Sequence, residues 1–176
     1  MWWSRTFLLV VVAAVAGGCG FQPLYGTQAT GSTPAEFAQI KVEPIVDRLG
    51  QQLHNHLLTI LNPDGRPAAP RYRMNTTLTE GIASLGVRKS AFATRANLTV
   101  NSNYRLTDTE TGKIILSDQT SITVSYNILE SEFATLMAEK DARSRAVREL
   151  AESIRIRLGV FFARQTLPDD RKQSAR

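Results

Sequence analysis

The chain has 176 residues, with 21 Lys and Arg against 16 Asp and Glu, 43% hydrophobic residues and a single cysteine. That length suits one domain, and the composition is that of a globular chain, neither disordered nor fibrous. One cysteine excludes an intrachain disulfide framework and a Cys-x-x-Cys metal site, and a net charge of +5 is too small to identify an anionic partner by itself.

The N-terminus differs from the rest. A start carrying Arg5 leads into an unbroken apolar run from Phe7 to Ala16, followed by Gly17-Gly18-Cys19. A membrane-spanning helix needs about 20 apolar residues, and this run is half that length. A basic start, a short apolar stretch and small residues before a cleavage point describe an export signal over residues 1–18. The small-small-Cys ending predicts the lipoprotein version, with Ala16 standing where Leu or Val is commoner. Cys19 is then the lipidation site and the mature N-terminus, carrying an N-acyl (palmitate-type) and a diacylglyceryl group. Two or more acyl chains anchor a protein stably, where one binds only marginally. Gly20 follows the cysteine, and an Asp there would have indicated retention in the inner membrane, so the expected address is the outer membrane, facing the periplasm. Loss of Arg5 with the signal lowers the net charge from +5 to +4.

Residues 19–36 read as the lipidated terminus and a flexible tether, since Gly26–Glu36 is small and polar without an apolar period. The domain is expected over residues 37–164. Ala38, Ile40 and Val42 alternate as a half-buried strand that ends near Pro44. From Val46 the period changes, and Val46, Leu49, Leu53, Leu57 and Ile60 form one helical stripe, weakened at Gly50 and stopped by Asn62-Pro63-Asp64-Gly65. Three strand-like runs follow. Tyr72, Met74, Thr76 and Leu78 share a parity, as do Ala96, Leu98, Val100, Tyr104 and Leu106, and then Leu116, Ile122, Val124 and Tyr126. Asp108–Gly112 is a hairpin turn between the second and third runs. The opposite parity is rich in Thr, Asn and Ser, which predicts a wet sheet face.

A long helix closes the domain, from near Ser131 to near Arg164, with Ala142, Ala146, Leu150, Ile154, Leu158 and Phe161 as its apolar stripe. Asp141–Arg145, Arg145–Glu149 and Arg148–Glu152 are spaced to pair on its outer face. Residues 165–176 read as a disordered polar tail. The fold class is therefore α+β, with two helices packed on one face of a four-stranded, mainly antiparallel sheet in the order βαβββα.

For catalysis the sequence offers no Gly-rich phosphate loop, no G-x-S-x-G motif and no thiol beyond Cys19. His54 and His56 stand two apart on a helix, too divergent to chelate together. The expectation is no enzyme, no metal and no cofactor beyond the covalent lipid on Cys19. Export argues against nucleic acid as a partner. Gly81–Thr94 carries Arg88, Lys89 and Arg95 among Leu85, Val87 and Phe92. It reads either as a loop able to touch an apolar, anionic ligand such as a phosphorylated lipid, or as two strands continuing into a long hairpin with a basic tip. Lys140 lies between Glu139 and Asp141, a solvated intrahelical pair by default.

Several fragments in order, Cys19-Gly20-Phe21-Gln22-Pro23-Leu24-Tyr25-Gly26, Ser125-Tyr126-Asn127, Phe133-Ala134-Thr135-Leu136, Glu139-Lys140-Asp141-Ala142 and Ala146-Val147-Arg148-Glu149-Leu150-Ala151, resemble LptE. This is the lipopolysaccharide-assembly lipoprotein family of Gram-negative outer membranes, here in its alphaproteobacterial form. The resemblance covers nearly all of residues 19–160 and implies the same two-helix, four-strand fold. It also implies a protein that plugs the LptD β-barrel, assists its assembly and binds lipopolysaccharide on its way to the outer leaflet. Arg88 or Lys89 matches the family's basic position between the second and third strands, in a loop more apolar than the enterobacterial pattern. Lys140 matches the basic position near the start of the last helix. The alternative reading is another lipid-anchored periplasmic scaffold, such as a peptidoglycan- or lipoprotein-binding module.

Overall fold

The computed structural model describes residues 33–87 and 93–166. Cys19, Arg88 and Lys89 lie outside the described residues.

Among the described residues the fold has three helices and one four-stranded sheet, in the strand order β1-β2-β3-β4. The first described element is a five-residue helix, α1, Thr33–Phe37, where the sequence read as polar tether. Proline at the second position of this helix costs nothing, because first-turn amides have no intrahelical acceptor. Phe37 is buried and meets Phe162 edge-on, ring centroids 6.2 Å apart.

Strand β1 is short, Ile40–Val42, and pairs in parallel with the start of β2, Tyr72–Val87. Its ladder ends where the Glu43 N–H donates to the Met74 carbonyl at 3.0 Å. Pro44, next in line, has no N–H to offer.

Helix α2, Asp47–Leu61, buries Gly50, Leu53, Leu57 and Leu61. That stripe is rotated from the expected one: Val46 is 79% exposed, and Leu49 and Ile60 are only half-buried. The rotation follows from Gly50, whose missing side chain lets the helix rest on Ile45. The helix stops where the Asn62 N–H donates to Leu58, and Gly65 takes a positive φ of 109° in the turn that follows. The Asn62 amide nitrogen donates to the Phe37 carbonyl at 3.1 Å, tying this end of α2 to α1.

Strand β2 pairs antiparallel with β3, Ala93–Asp108, in a register that runs from Tyr72↔Asp108 to Val87↔Ala93. Of the two readings for Gly81–Thr94, the structure shows the long hairpin, with β2 extending to Val87 and β3 beginning at Ala93. Strand β4, Ile114–Asn127, pairs antiparallel with β3. The tight turn between them forms because the Asp108 carboxylate accepts from the Glu110 and Thr111 amides while Gly112 adopts φ 67°.

The closing helix α3, Glu132–Thr166, has 35 residues. Ser131 caps it, its hydroxyl accepting from the Ala134 N–H at 3.3 Å. Its buried stripe is Ala142, Ala146, Leu150, Ile154, Leu158 and Phe162. The last member is Phe162, against Tyr72 and Phe37, and Phe161 is only partly buried. The apolar parity of the sheet, including Met74, Leu98, Tyr104, Leu106 and Val124, is buried beneath the helices. The opposite parity is polar, as the alternation predicted.

Candidate functional site

The two long helices differ in reach. At about 1.5 Å per residue, the 15 residues of α2 span about 22 Å and the 35 of α3 about 52 Å. The lower half of the sheet, near β1, is covered by both. Among the described residues the upper half, holding the far ends of β2 and β3 and the exit of β4, is covered by α3 alone.

That difference exposes one stripe of α3. Phe133, Leu136, Lys140, Arg143 and Val147 are spaced 3, 4, 3 and 4, and so share a face. Val147 is fully buried. One to four turns earlier the same face opens: Leu136 is 55% and Phe133 71% exposed, with Met137 at 40% beside them. On the neighbouring β2, Ile82 carries the helix-facing parity and is 46% exposed, where a core position would be buried. The result is an apolar patch next to cations, in the place a longer α2 would have covered.

Arg143 fixes the lower end of this patch. Its guanidinium donates to both carboxylate oxygens of Glu80 on β2, at 3.0 and 3.3 Å, and pairs with Glu139 at 2.7 Å. Those hydrogen bonds, led by Glu80, raise the Arg143 pKa despite the cost of partial burial. Burial pushes the nearby Tyr126 hydroxyl up as well, with Glu139 adding to the effect. Asp141 is taken by Arg145 at 2.8 Å. The expected pairing of Lys140 with its two acidic neighbours is therefore absent. Lys140 is exposed and has no ion-pair partner among the described residues. Two other expected pairs also differ. Arg145 bonds Asp141 and not Glu149, and Glu152 bonds Arg155 at i,i+3 in place of Arg148.

Among the sequence-predicted cations the structure describes only Lys140 and Arg95. The pair Val87↔Ala93 stands at the same end of the sheet as the Arg95↔Asn127 pair. The chain enters α3 a few residues after Asn127. The topology thus puts the facing ends of β2 and β3 and the start of α3 at one end of the domain.

The other face of the sheet is a field of small polar side chains. Thr99 and Thr123 hydroxyls meet at 3.0 Å, Ser125 donates to the Asn97 side chain at 2.7 Å, and Thr77 donates to the Asn103 carbonyl at 3.5 Å. A recess of about 640 Å³ at its lower part is lined by Pro44, Asn75, Thr77, Asn103, Arg105 and Gln119, among others. Arg105 and Asp118 are the charged residues of its lining, and Arg73 nearby on β2 is held by Glu43 at 3.1 Å.

Sequence reasoning missed one polar cluster. The Tyr104 hydroxyl donates to Asp118 at 3.0 Å, and Arg157 of α3 donates to the same oxygen at 2.9 Å. Tyr104 is fully buried, so its hydroxyl needs such an acceptor. Its parity was legible, its partner on the next strand was not. His54 Nδ1 lies 3.2 Å from the Glu43 carbonyl oxygen. Among the described residues no group of three His, Cys, Asp or Glu side chains could hold a metal, and no helix is long and apolar enough to cross a membrane.

These features define a small α+β domain with a core-forming helical layer, one apolar-cationic end and one polar sheet face. Residues 37–158 match the LptE family, described as lipopolysaccharide-assembly. The chain belongs to that family of lipopolysaccharide-assembly lipoproteins, which work without enzymatic chemistry or a cofactor. An uncharacterized protein of Rickettsia prowazekii (strain Madrid E) is 24% identical over 157 residues, covering 89% of this chain and 97% of its own. The fold is shared with a candidate lipoprotein of Caulobacter crescentus, with TM-score 0.60, 22% identity, and coverage of 75% of this chain and 96% of that one. It is also shared with a minor lipoprotein of Acinetobacter baumannii, with TM-score 0.56, 16% identity, and coverage of 69% and 90%.

Proposed function

We propose that this protein is lipidated at Cys19, faces the periplasm from the outer membrane, seats as a plug in an LptD-type β-barrel, and binds lipopolysaccharide during its passage to the outer leaflet. The observation that carries the binding reading is the open stripe of α3, where Phe133, Leu136 and Met137 lie exposed beside Lys140, which has no ion-pair partner among the described residues. Acyl chains gain from contact with such apolar surface, and the phosphates of lipid A gain from a cation that no carboxylate already neutralises. Arg88 and Lys89, which follow β2 in sequence, supply further positive charge to the same headgroup. The polar sheet face suits the lumen of a barrel, whose interior wall is itself polar. Hydrogen-bonding side chains spread over a wide area give that kind of contact its complementarity.

Two measurements test this. A tagged full-length chain, purified from outer membranes, brings down a large β-barrel protein; recovery of none removes the plug assignment. The double change Arg88→Glu/Lys89→Glu weakens lipopolysaccharide binding without altering the melting temperature. Unchanged binding in that folded variant removes Arg88 and Lys89 from the site and leaves the barrel partnership standing.

A further inference from the structure

Strand β2 is 16 residues long and its outer neighbour β1 only three. Above Met74, no strand among the described residues pairs with the outer edge of β2. The direction of each main-chain group along that edge follows from the two bonds that close the β1 ladder. The Tyr72 N–H donates outward to Gln39, and the Met74 carbonyl accepts outward from Glu43. Alternation along a strand then sends the N–H and C=O of Thr76, Leu78, Glu80, Ile82 and Ser84 outward as well, while Thr77, Thr79, Gly81 and Ala83 bond to β3.

Exposed edges are usually blunted by Lys, Pro or a bulge. From Asn75 to Val87 this edge has no Lys, no Pro and a register without a shift against β3. Its one charge, Glu80, is neutralised by Arg143. The outward-bonding residues also carry the helix-facing side chains, and two of them, Leu78 and Ile82, remain incompletely covered.

We propose that this edge receives one added strand, an extended segment of the barrel protein in which the domain sits. The proposal rests on the plug reading above and adds the way the two chains join. Charge matching sets the chemistry of the segment. A neutral lane calls for a neutral strand, with apolar residues on the parity that covers Leu78 and Ile82 and small polar residues on the parity that meets Thr77 and Thr79. Nine residues, Thr76 to Ser84, give a lane of about 30 Å. A second copy of this chain fits less well, because antiparallel pairing centred on the lane sets Glu80 opposite Glu80.

The test is amide-resolved hydrogen exchange on the full chain, alone and co-purified with its LptD-type barrel. Alone, the Leu78, Glu80 and Ile82 amides exchange quickly while Thr77, Thr79 and Gly81 are slow. In the complex the three fast amides slow at least tenfold and the alternation disappears. Ile82→Pro, which removes an N–H that β3 does not use, reduces recovery of the complex at least tenfold, while Ile82→Ala retains it. A complex in which the alternation persists, or one that Ile82→Pro forms in full, overturns the added strand and spares the plug reading. Failure of any complex to form overturns both. Concentration-dependent protection of the same amides in the free protein overturns the proposal in favour of self-association.

Discussion

Gly50 of α2 lies so close to Ile45 that a Cβ on the glycine would stand 2.6 Å from the Ile45 Cγ2 atom. By propensity alone, Gly50 weakens its helix by about 1 kcal/mol relative to Ala. The contact reverses the sign of the substitution. Gly50→Ala is expected to destabilise the domain by about 1–3 kcal/mol, the usual cost of forcing atoms into a packed site. Gly81, with nothing within 4 Å of a built Cβ, serves as the control, and Gly81→Ala is expected to be neutral or slightly stabilising. Urea titration of both variants measures the difference, and equal midpoints for Gly50→Ala and the wild type would dismiss the contact.

A second prediction separates two adjacent aromatic rings. Phe162 is fully buried against Phe37 and Tyr72, with centroids at 6.2 and 5.2 Å, while Phe161 is only partly buried. Phe162→Ala is expected to cost about 3–5 kcal/mol, enough to unfold a marginal domain at physiological temperature. Phe161→Ala should cost clearly less. Thermal melts of the two variants decide the order, and the reverse order would mean that the end of α3 is rotated by one residue.

That pair also marks where the sequence was legible and where it was not. The parity of the three long strands and the Asp108–Gly112 turn could be read directly, because a one-residue slip exposes every apolar side chain of a two-faced sheet. A helix tolerates error more easily. Phe161 and Phe162 differ by only 100° around α3, and Leu49 and Ile60 are one residue away from the stripe that α2 buries. Only packing against Ile45 and Tyr72 chooses between them. The helix Thr33–Phe37 was hidden by its polar composition, since it is held through Phe37 and the Asn62 bond to its carbonyl. As for the site, Lys140 was found through family resemblance. Its lack of a partner was not, because that depends on Glu139 and Asp141 turning to Arg143 and Arg145. The open stripe itself is a tertiary fact: nothing in Leu136 or Phe133 says that α2 ends before reaching them.

The Tyr104–Asp118–Arg157 cluster predicts the pH limits of stability. Partial burial works against ionisation of Asp118, but the Gln119 amide, Arg157 and Tyr104 all favour the carboxylate and hold its pKa below the usual range. A carboxyl depressed in the folded state contributes stability above its unfolded value near 4, lost as pH falls through the lower folded value. Tyr104 shifts the other way, raised by burial and then by Asp118. Its contribution is complete below the unfolded tyrosine value of about 10 and disappears at higher pH. Asp118→Asn should therefore flatten the acid limb of a stability profile, and Tyr104→Phe the alkaline limb. An acid limb unchanged in Asp118→Asn would assign acid unfolding to other carboxylates.

The last prediction distinguishes a binding cation from a structural one in the same stripe. Arg143 is committed to Glu80 and Glu139, so Arg143→Ala removes a link between α3 and β2. Because the pair is partly solvated, the expected loss is modest, about 1 kcal/mol or less. Lys140, one turn earlier, has no such partner, and Lys140→Glu should leave the melting temperature unchanged. Its effect belongs in ligand binding. A hydrogen bond to a charged group contributes about 1.5–3 kcal/mol, so Lys140→Glu is expected to weaken lipopolysaccharide binding about tenfold or more in low salt. The deficit should shrink as ionic strength rises, since an exposed cation is screened within about 10 Å at 0.1 M salt. Binding curves at two salt concentrations, paired with melts of both variants, give the answer. Equal affinity of Lys140→Glu and wild type at low salt would remove Lys140 from the site, and a lowered melting temperature in that variant would reassign it to the fold.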